Sequence, residues 1–371
     1  MTSRERLLAA IKLKKTDRVP VSTYELVGYN SKAFENNQPS YKNLMDIIRE
    51  KTDCVCMWGQ SSDHRAAHSA YPAQIDYNKI QGANYTEWNL TLHTPEGELT
   101  STHRTYDNLH TTWQTERWCK TTGDVDKYLS VPFVPVTYDD SDYARIKAEV
   151  GNRGIIMSCL ADPAYLAMEL MEFGESTVWV MTETGHFAKI VEEFHRRNMI
   201  NLENMLKTRV VDLYRICGPE YLTPPYLPPS YFSRFVTPYL REMTELIHKY
   251  GGLVRIHSHG KIGKVIDEIL SCGADALDPC EGPPDGDITL RELKERAGDR
   301  MCLFGNIQLK ALEHADPREI REIVKSCMND AKENGGYVIM PTAAPINIPL
   351  SPKTEENYRV FIDTAIEYGR Y

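Results

Sequence analysis

Residues 253–286 read LVRIHSHGKIGKVIDEILSCGADALDPCEGPPDG and contain the clearest structural pattern of the chain. An apolar run leads to His257 and His259, apolar residues then recur at helical spacing, and a second apolar run ends at Asp278. This pattern predicts strand, helix, strand. Side chains two residues apart on a strand share a face, so both imidazoles are expected to point the same way. Ligands bind beyond the carboxyl ends of parallel strands, which predicts an active site here.

The same alternation of short apolar runs and helical patterns extends in both directions from this segment. Eight strands are predicted in total, at residues 19–28, 54–59, 154–159, 210–217, 253–256, 274–277, 301–306 and 336–342. Short apolar strands without polar alternation are typical of a buried parallel sheet. Eight of them separated by helices predict an α/β fold, a (β/α)8 TIM barrel. A doubly wound open sheet is the alternative, but no glycine-rich dinucleotide or phosphate-binding motif follows an early strand.

Residues 76–118 break this alternation. Segments near 86–93 and 100–107 carry alternating threonine, leucine and aromatic residues and flank the turn TPEG at 94–97, which is a β-hairpin signature. We therefore predict a single barrel domain over residues 1–371, with an antiparallel β-hairpin insertion between strands 2 and 3. The insertion is either a lid or substrate wall over the barrel mouth, or an edge sheet without a role in chemistry.

Composition narrows the classes of function. The chain has 43 basic and 52 acidic residues, a formal charge of −9 and no long run of like charge, so neither a nucleic-acid nor a membrane-surface partner is predicted. The opening MTSRERLLAAIKLKK is a charged amphipathic helix rather than a secretion signal, and no apolar stretch approaches the roughly 20 residues of a membrane span. Nine cysteines without regular spacing predict reduced thiols and a cytoplasmic location.

Histidine and carboxylate side chains near the two strand ends have the donor atoms of a zinc site. His257 and His259 are the first ligand candidates and Glu281 is the third, with Cys280 or Glu220 in reserve. For the histidines, the alternative is a hydrogen-bonded polar pair without metal. For Glu281, the alternative is a helix cap or a salt bridge within its loop.

Residues at other predicted strand ends and loops complete the candidate site. Glu25 and Glu220 are candidates for general acids or for acceptors of a ring hydroxyl, with a solvated loop carboxylate as the alternative for each. Asn306 either orients a loop or contacts substrate. Four aromatic side chains are predicted to form a substrate wall, with simple packing as the alternative: Tyr24, Trp58, Tyr226 and Tyr231.

Taken in order, the motifs of this chain resemble those of the uroporphyrinogen decarboxylase superfamily, which includes cobalamin-dependent methyltransferases. The resemblance runs through RER at residues 4–6, DRVP at 17–20, HSHG at 257–260, GNI at 305–307 and EN at 356–357. It implies a TIM barrel, and it implies that two copies pair into a homodimer.

The sequence departs from two branches of that superfamily. True decarboxylases hold the propionates of their substrate with an arginine-rich segment after the first strand, whereas residues 24–29 here read YELVGY. The thiol-methylating branch typically uses His-x-Cys and a later cysteine to hold zinc. Here His259 stands in the middle position, and residues 340–344 read MPTAA. Tetrapyrrole decarboxylation and thiol activation are therefore disfavoured.

The nearest pattern is similar to that of O-demethylase methyltransferases, in which HxHG is followed by Pro-x-Glu-x-Pro-Pro-x-Gly-Asp. Residues 279–287 here read PCEGPPDGD. The resemblance implies an enzyme that moves a methyl group from a methyl ether, such as a methoxylated aromatic, to the cob(I)alamin of a separate corrinoid protein. Zn²⁺ or a proton donor would stabilise the leaving oxygen. The alternatives are a decarboxylase or lyase, a metal-dependent hydrolase using the same histidines, and a non-catalytic ligand-binding barrel.

Overall fold

The computed structural model describes all residues, 1–371, and has thirteen strands. In chain order they are β1 Cys54–Met57, β2 Ser61–Ser62, β3 Ile75–Gln81, β4 Tyr85–Thr94, β5 Gly97–Tyr106, β6 Thr112–Glu116, β7 Tyr138–Asp139, β8 Gly154–Ala161, β9 Leu213–Cys217, β10 Leu253–His257, β11 Ala276–Asp278, β12 Cys302–Ile307 and β13 Tyr337–Pro341. Seven of them form one parallel sheet in the order β1-β8-β9-β10-β11-β12-β13. This large sheet curls into a TIM-barrel-like half-barrel.

Fourteen α-helices connect and cover these strands. They are α1 Ser3–Ile11, α2 Lys42–Lys51, α3 Thr122–Leu129, α4 Tyr143–Val150, α5 Pro163–Met168, α6 Phe173–Thr182, α7 Thr184–Thr208, α8 Pro229–Phe235, α9 Thr237–Lys249, α10 Ile266–Ser271, α11 Leu290–Ala297, α12 Leu309–His314, α13 Pro317–Ala331 and α14 Pro352–Tyr368. None of these helices has the length and apolar character that crossing a bilayer requires.

The first predicted strand, at residues 19–28, is wrong as a regular strand. Only a short extended piece lies between the first and last strands of the sheet: the amide of Ser22 donates to the carbonyl of Ile339 (3.0 Å), and the amide of Asp53 donates to that of Val21 (2.8 Å). Pro20 has no amide hydrogen to donate. Tyr24 then adopts a left-handed backbone with φ of 56°, which ends the extended conformation.

The insertion is a four-stranded antiparallel sheet in the order β3-β4-β5-β6, so it is larger than the single hairpin that the sequence predicts. The turn at residues 94–97 does join two paired strands, with Thr94 opposite Gly97. Because the first predicted strand is not regular, the insertion follows the first strand of the main sheet, β1, and precedes the second, β8. The last loop of this sheet reaches the segment after β13, where His110 donates its amide hydrogen to Ile346.

Side chains inside the curled sheet change from apolar to polar along the strand direction. Helix α1 closes the amino-terminal end, where Leu7 and Ile11 pack in a buried cluster with Ile155, Leu213 and Phe304. Alternate residues of a strand share a face, so the inward face continues toward the carboxyl ends with polar side chains. These are Cys159 on β8, Arg215 on β9, Arg255 and His257 on β10, and Asp278 on β11. The sequence thereby places charge at the barrel mouth.

Candidate active site

A pocket of about 650 Å³ opens at the carboxyl ends of β10, β11 and β12. It is lined by three groups of residues: the acidic and imidazole side chains of Glu220, His259, Glu281 and Asp285; the aromatic side chains of Phe173, Tyr221 and Tyr226; and Gly260, Gln308, Leu309 and Lys310. This is the position at which ligands bind in parallel α/β folds.

His259 and Glu281 form an ion pair at the wall of this pocket. His259 Nδ1 lies 3.0 Å from Glu281 Oε2, and the histidine side chain is 36% exposed. The next residue, Gly260, has φ of 89°, a conformation that glycine adopts without strain. The chain changes direction at this residue, directly after the imidazole. The pair therefore presents a polar group to the pocket from the end of β10.

The two members of the pair shift each other's pKa in opposite directions. Burial lowers the pKa of His259, but the hydrogen bond and charge of Glu281 outweigh burial, so the pKa of His259 is raised. Burial raises the pKa of Glu281, and the hydrogen bond and charge of His259 outweigh it, so that carboxyl has a lowered pKa. An imidazolium next to a carboxylate is thus favoured, and it is a proton donor within reach of a bound ligand.

His257 lies below this pair in a buried ionic network. Its ring centroid is 4.7 Å from that of His259, and its Nδ1 lies 2.9 Å from Asp278 Oδ2. The other carboxylate oxygen of Asp278 lies 3.0 Å from Arg255 Nε, although the two groups are not aligned for a hydrogen bond. Since Asp278 is 0% exposed, its charge is compensated by buried partners rather than by water.

The predicted metal ligands are brought together only in part. His257, His259 and Glu281 meet at the mouth, whereas Cys280 is buried and its thiol donates to Leu277 O at 3.5 Å. The two histidines each pair with a different carboxylate. No group of three or more histidine, cysteine, aspartate or glutamate side chains is arranged to hold a metal ion. In this arrangement the residues do not form a zinc site, so zinc stays a prediction.

The three predicted catalytic residues occupy different places. Glu220 lines the pocket with His259, and its Oε2 accepts a hydrogen bond from Gly218 N at 3.0 Å. Asn306 donates to Cys280 O at 2.8 Å, so it fixes the loop that carries Glu281 and does not line the pocket. Glu25 is 2.7 Å from Arg215 Nη2, on another side of the mouth.

Of the predicted aromatic wall, only Tyr226 lines the pocket. Trp58 is buried and packs on Tyr143. Tyr231 lies on α8 with its ring 6.2 Å from that of Phe235, and Tyr24 lies on the inner side of the mouth with its ring 6.2 Å from His257. The other three residues are therefore packing or inner-mouth residues.

Sequence reasoning missed two aromatic residues of the pocket, Phe173 and Tyr221. Their rings are 5.2 Å apart and nearly perpendicular, and Phe173 meets Tyr226 in the same way at 4.8 Å. Phe173 begins helix α6 and Tyr221 lies in a turn after β9, so no periodic pattern connects them. The hydroxyl of Tyr221 donates to Glu169, which fixes the ring at the pocket.

The fold and the position of this pocket define a TIM-barrel-like protein whose candidate site lies at the carboxyl ends of its strands. Within that class, the family model for uroporphyrinogen decarboxylase (URO-D) matches residues 135–368. This match covers more than half of the chain, which therefore belongs to the URO-D family.

Comparison with a solved methyltransferase structure agrees with this fold. A methyltransferase from Methanosarcina mazei superposes with a TM-score of 0.61 over 99% of this chain and 99% of its own, at 17% sequence identity. D-psicose 3-epimerase from Clostridium cellulolyticum H10 superposes with a TM-score of only 0.38, over 62% of this chain and 83% of its own, at 12% identity. A comparison with curated protein sequences gives no match.

Proposed function

We propose that this chain is a methyltransferase that takes a methyl group from a small methyl ether, such as a methoxylated aromatic, for transfer to the cob(I)alamin of a corrinoid protein. The observation that carries the proposal is the His259–Glu281 pair, 3.0 Å apart, in an aromatic-lined pocket at the carboxyl ends of the strands of a URO-D family member.

The His259–Glu281 pair supplies a proton donor for the oxygen of a methyl ether. An ether is a poor methyl donor because its leaving group is an alkoxide or phenoxide, and a proton donor at the ether oxygen stabilises the charge that develops there. General acids of this kind contribute typically about 10²- to 10⁴-fold in rate. His259 holds the proton, and Glu281 keeps the imidazole protonated and oriented. Glu220, in the same pocket, is placed to accept a hydrogen bond from a ring hydroxyl.

The acceptor of the methyl group comes from outside the pocket. No cysteine or serine side chain lines it, so the lining offers no thiol or serine nucleophile for a covalent methyl intermediate. A reduced corrinoid cofactor carried by a partner protein supplies the nucleophile in this proposal. The pocket opens at the barrel mouth, where a partner can approach.

Methylation of the corrinoid tests the proposal directly. Purified protein is mixed with a reduced corrinoid protein and a panel of methoxylated aromatics, and methylcobalamin is followed by its visible spectrum. Formation of methylcobalamin and the demethylated phenol in equal amounts is expected. Phenol release without a corrinoid would favour the hydrolase alternative, and absence of turnover with every donor would contradict the proposal. Bound metal measured in the same preparation tests the zinc prediction independently.

The pH dependence of this reaction is a further prediction. His259 acts in its protonated form, so kcat/KM is expected to be high below its pKa and to fall as pH rises through that pKa. Since Glu281 raises the pKa of His259, Glu281→Gln is expected to move this fall to lower pH. The measurement is initial rate against pH for both proteins. A rate that increases with pH across the same range would mean that the imidazole acts as a base.

Substitution of Tyr226 tests the aromatic wall. Tyr226 is 53% exposed and its ring packs on Phe173, so Tyr226→Ala removes ligand contact without opening the core. Aromatic contacts contribute about 0.5–1.5 kcal/mol, so KM for a methoxylated aromatic is expected to rise about 2- to 13-fold with little change in kcat. Tyr371→Ala is the matched control, because Tyr371 is 40% exposed and does not line the pocket. Equal effects of the two substitutions on KM would show that Tyr226 does not contact the ligand.

A further inference from the structure

Arg215 is a buried arginine with unsatisfied hydrogen-bond donors on the inner face of the barrel mouth. It lies on β9 with Cys159 of β8 and Arg255 of β10 as its cross-strand neighbours. The residue is 5% exposed, yet its Nε and Nη1 have no hydrogen-bond partner. A buried charged donor without an acceptor is costly, so these N–H groups indicate a place for an acceptor.

Arg255 adds to the positive charge of this region. It is fully buried next to Arg215 on the neighbouring strand, and its Nη1 also has no partner. Its carboxylate neighbour, Asp278, is shared with His257. Of the two guanidinium groups on these adjacent strands, only that of Arg255 lies within ion-pair distance of Asp278.

Glu25 is the only carboxylate that pairs with Arg215, and it does so through a single oxygen. Its Oε1 lies 2.7 Å from Arg215 Nη2, which leaves the other donors of the guanidinium free. Glu25 is half-buried and belongs to an irregular segment rather than a strand. It also lines a separate pocket of about 290 Å³ with Phe34, Met57 and Ile346, so space exists into which its side chain can turn.

Next to Arg215, the inner mouth is in contact with solvent at Cys159 and favours negative charge. Cys159, its cross-strand neighbour, is partly exposed to solvent at the mouth. A hydrogen bond from Cys217 and the charges of Arg215 and Arg255 outweigh burial and lower the pKa of Cys159. The aromatic ring of Tyr24 lies 5.2 Å from the Arg215 guanidinium on another side. A small planar anion can therefore reach Arg215 from the mouth.

We propose that Arg215 is an anion-binding residue that takes a carboxylate of the ligand in the place that Glu25 now holds. A guanidinium binds a carboxylate through two parallel hydrogen bonds. When Glu25 leaves Nη2, this nitrogen can form such a pair of bonds together with Nε or Nη1, neither of which has a partner now. Resting on the proposed function, this means that the methyl donor is a methoxylated aromatic acid rather than a neutral ether. Arg255 acts from below as a source of positive charge and does not contact the ligand.

Ligand binding in the absence of a corrinoid tests this inference. Calorimetry compares 4-methoxybenzoate with the neutral 4-methoxybenzamide at one pH and one salt concentration. The wild-type protein is expected to bind the acid at least tenfold more tightly, and Arg215→Met is expected to lose about 10- to 100-fold in affinity for the acid only. Glu25→Gln removes the competing carboxylate and is expected to bind the acid several-fold more tightly than the wild type.

The two substitutions are expected to change the affinity for the acid in opposite directions. Glu25→Gln therefore still tests the inference if Arg215→Met does not fold. Equal binding of acid and amide, no binding of either, or weaker binding of the acid by Glu25→Gln would each overturn the inference. If the acid and the variants bind as expected but no methyl transfer occurs, the anion site stands and the proposed function is contradicted. Methyl transfer from neutral ethers at full rate in Arg215→Met would contradict the anion site and leave the proposed function standing.

Discussion

His259→Ala is expected to lower kcat for methyl transfer by about 10²- to 10³-fold while the protein keeps its fold. The substitution removes the proton that stabilises the leaving oxygen, and general acids contribute on this scale. His259 is 36% exposed and lies after the end of β10, so its removal opens no cavity in the core. Initial rates at saturating donor, with the unfolding midpoint of each protein, check both parts of the expectation.

His248 provides a matched control. It is 38% exposed, and its Nε2 lies 2.8 Å from the carboxylate of Asp275, so it too is a half-exposed histidine in an ion pair with a raised pKa. It lies in the last turn of α9, outside the pocket. His248→Ala is expected to leave kcat within about twofold of the wild-type value, in line with small effects of surface substitutions. Equal losses in the two variants would show that His259 acts on stability alone.

Metal analysis separates the two roles that remain for His259. If the imidazole is a proton donor, His259→Ala changes the rate but not the bound metal. If zinc binds at His257 and His259, the substitution lowers the metal content together with the rate. Glu281→Gln gives a second comparison, because it retains the shape of the side chain while removing the charge that raises the pKa of His259.

The sequence predicted that His259 and Glu281 lie at one edge of the sheet because this proximity follows from local rules. His257 and His259 are two residues apart at the end of an apolar strand, and Glu281 follows the next strand, so neighbouring parallel strands bring them to one edge. The structure has His259 and Glu281 in an ion pair. Such predictions need only strand periodicity and the order of the strands.

Other parts of the site depend on features that periodicity does not capture. Arg215 and Arg255 lie within LYRIC and LVRIH, which read as apolar strands. A charged residue on the inward face of such a strand nevertheless indicates that the interior of the sheet is polar. Phe173 and Tyr221 meet only because a helix start and a turn after β9 converge in space. The first predicted strand failed because Pro20 lacks an amide hydrogen and Tyr24 turns the backbone.

Asp278→Asn is expected to lower the free energy of unfolding by about 3–5 kcal/mol, which is the usual cost of breaking a buried ion pair. Asp278 is 0% exposed, and its carboxylate lies 2.9 Å from His257 Nδ1 and 3.0 Å from Arg255 Nε. The substitution leaves the guanidinium of Arg255 buried without an opposite charge. Denaturant unfolding at neutral pH measures the loss.

The pH dependence of this stabilisation has a definite sign. Burial raises the pKa of Asp278, but the charges of Arg255 and His257 outweigh burial, so the pKa in the folded protein is lowered. A carboxyl with a lowered pKa stabilises the fold at pH values above its unfolded pKa of about 4. The stabilisation is lost as pH falls toward the folded value. The difference between wild type and Asp278→Asn is therefore expected to shrink on acidification below about pH 4.

A second substitution identifies the source of the loss. If the cost of Asp278→Asn comes from an unpaired buried charge, then Arg255→Met in the same protein removes that charge and is expected to restore at least half of the lost free energy. Asp275→Asn is the control, since Asp275 precedes the same strand but pairs with the half-exposed His248; a loss of about 1 kcal/mol or less is expected there. If the double variant is no more stable than Asp278→Asn, the lost free energy comes from the hydrogen bond between Asp278 and His257. The buried ion pair with Arg255 would then not be required for the stability of the fold.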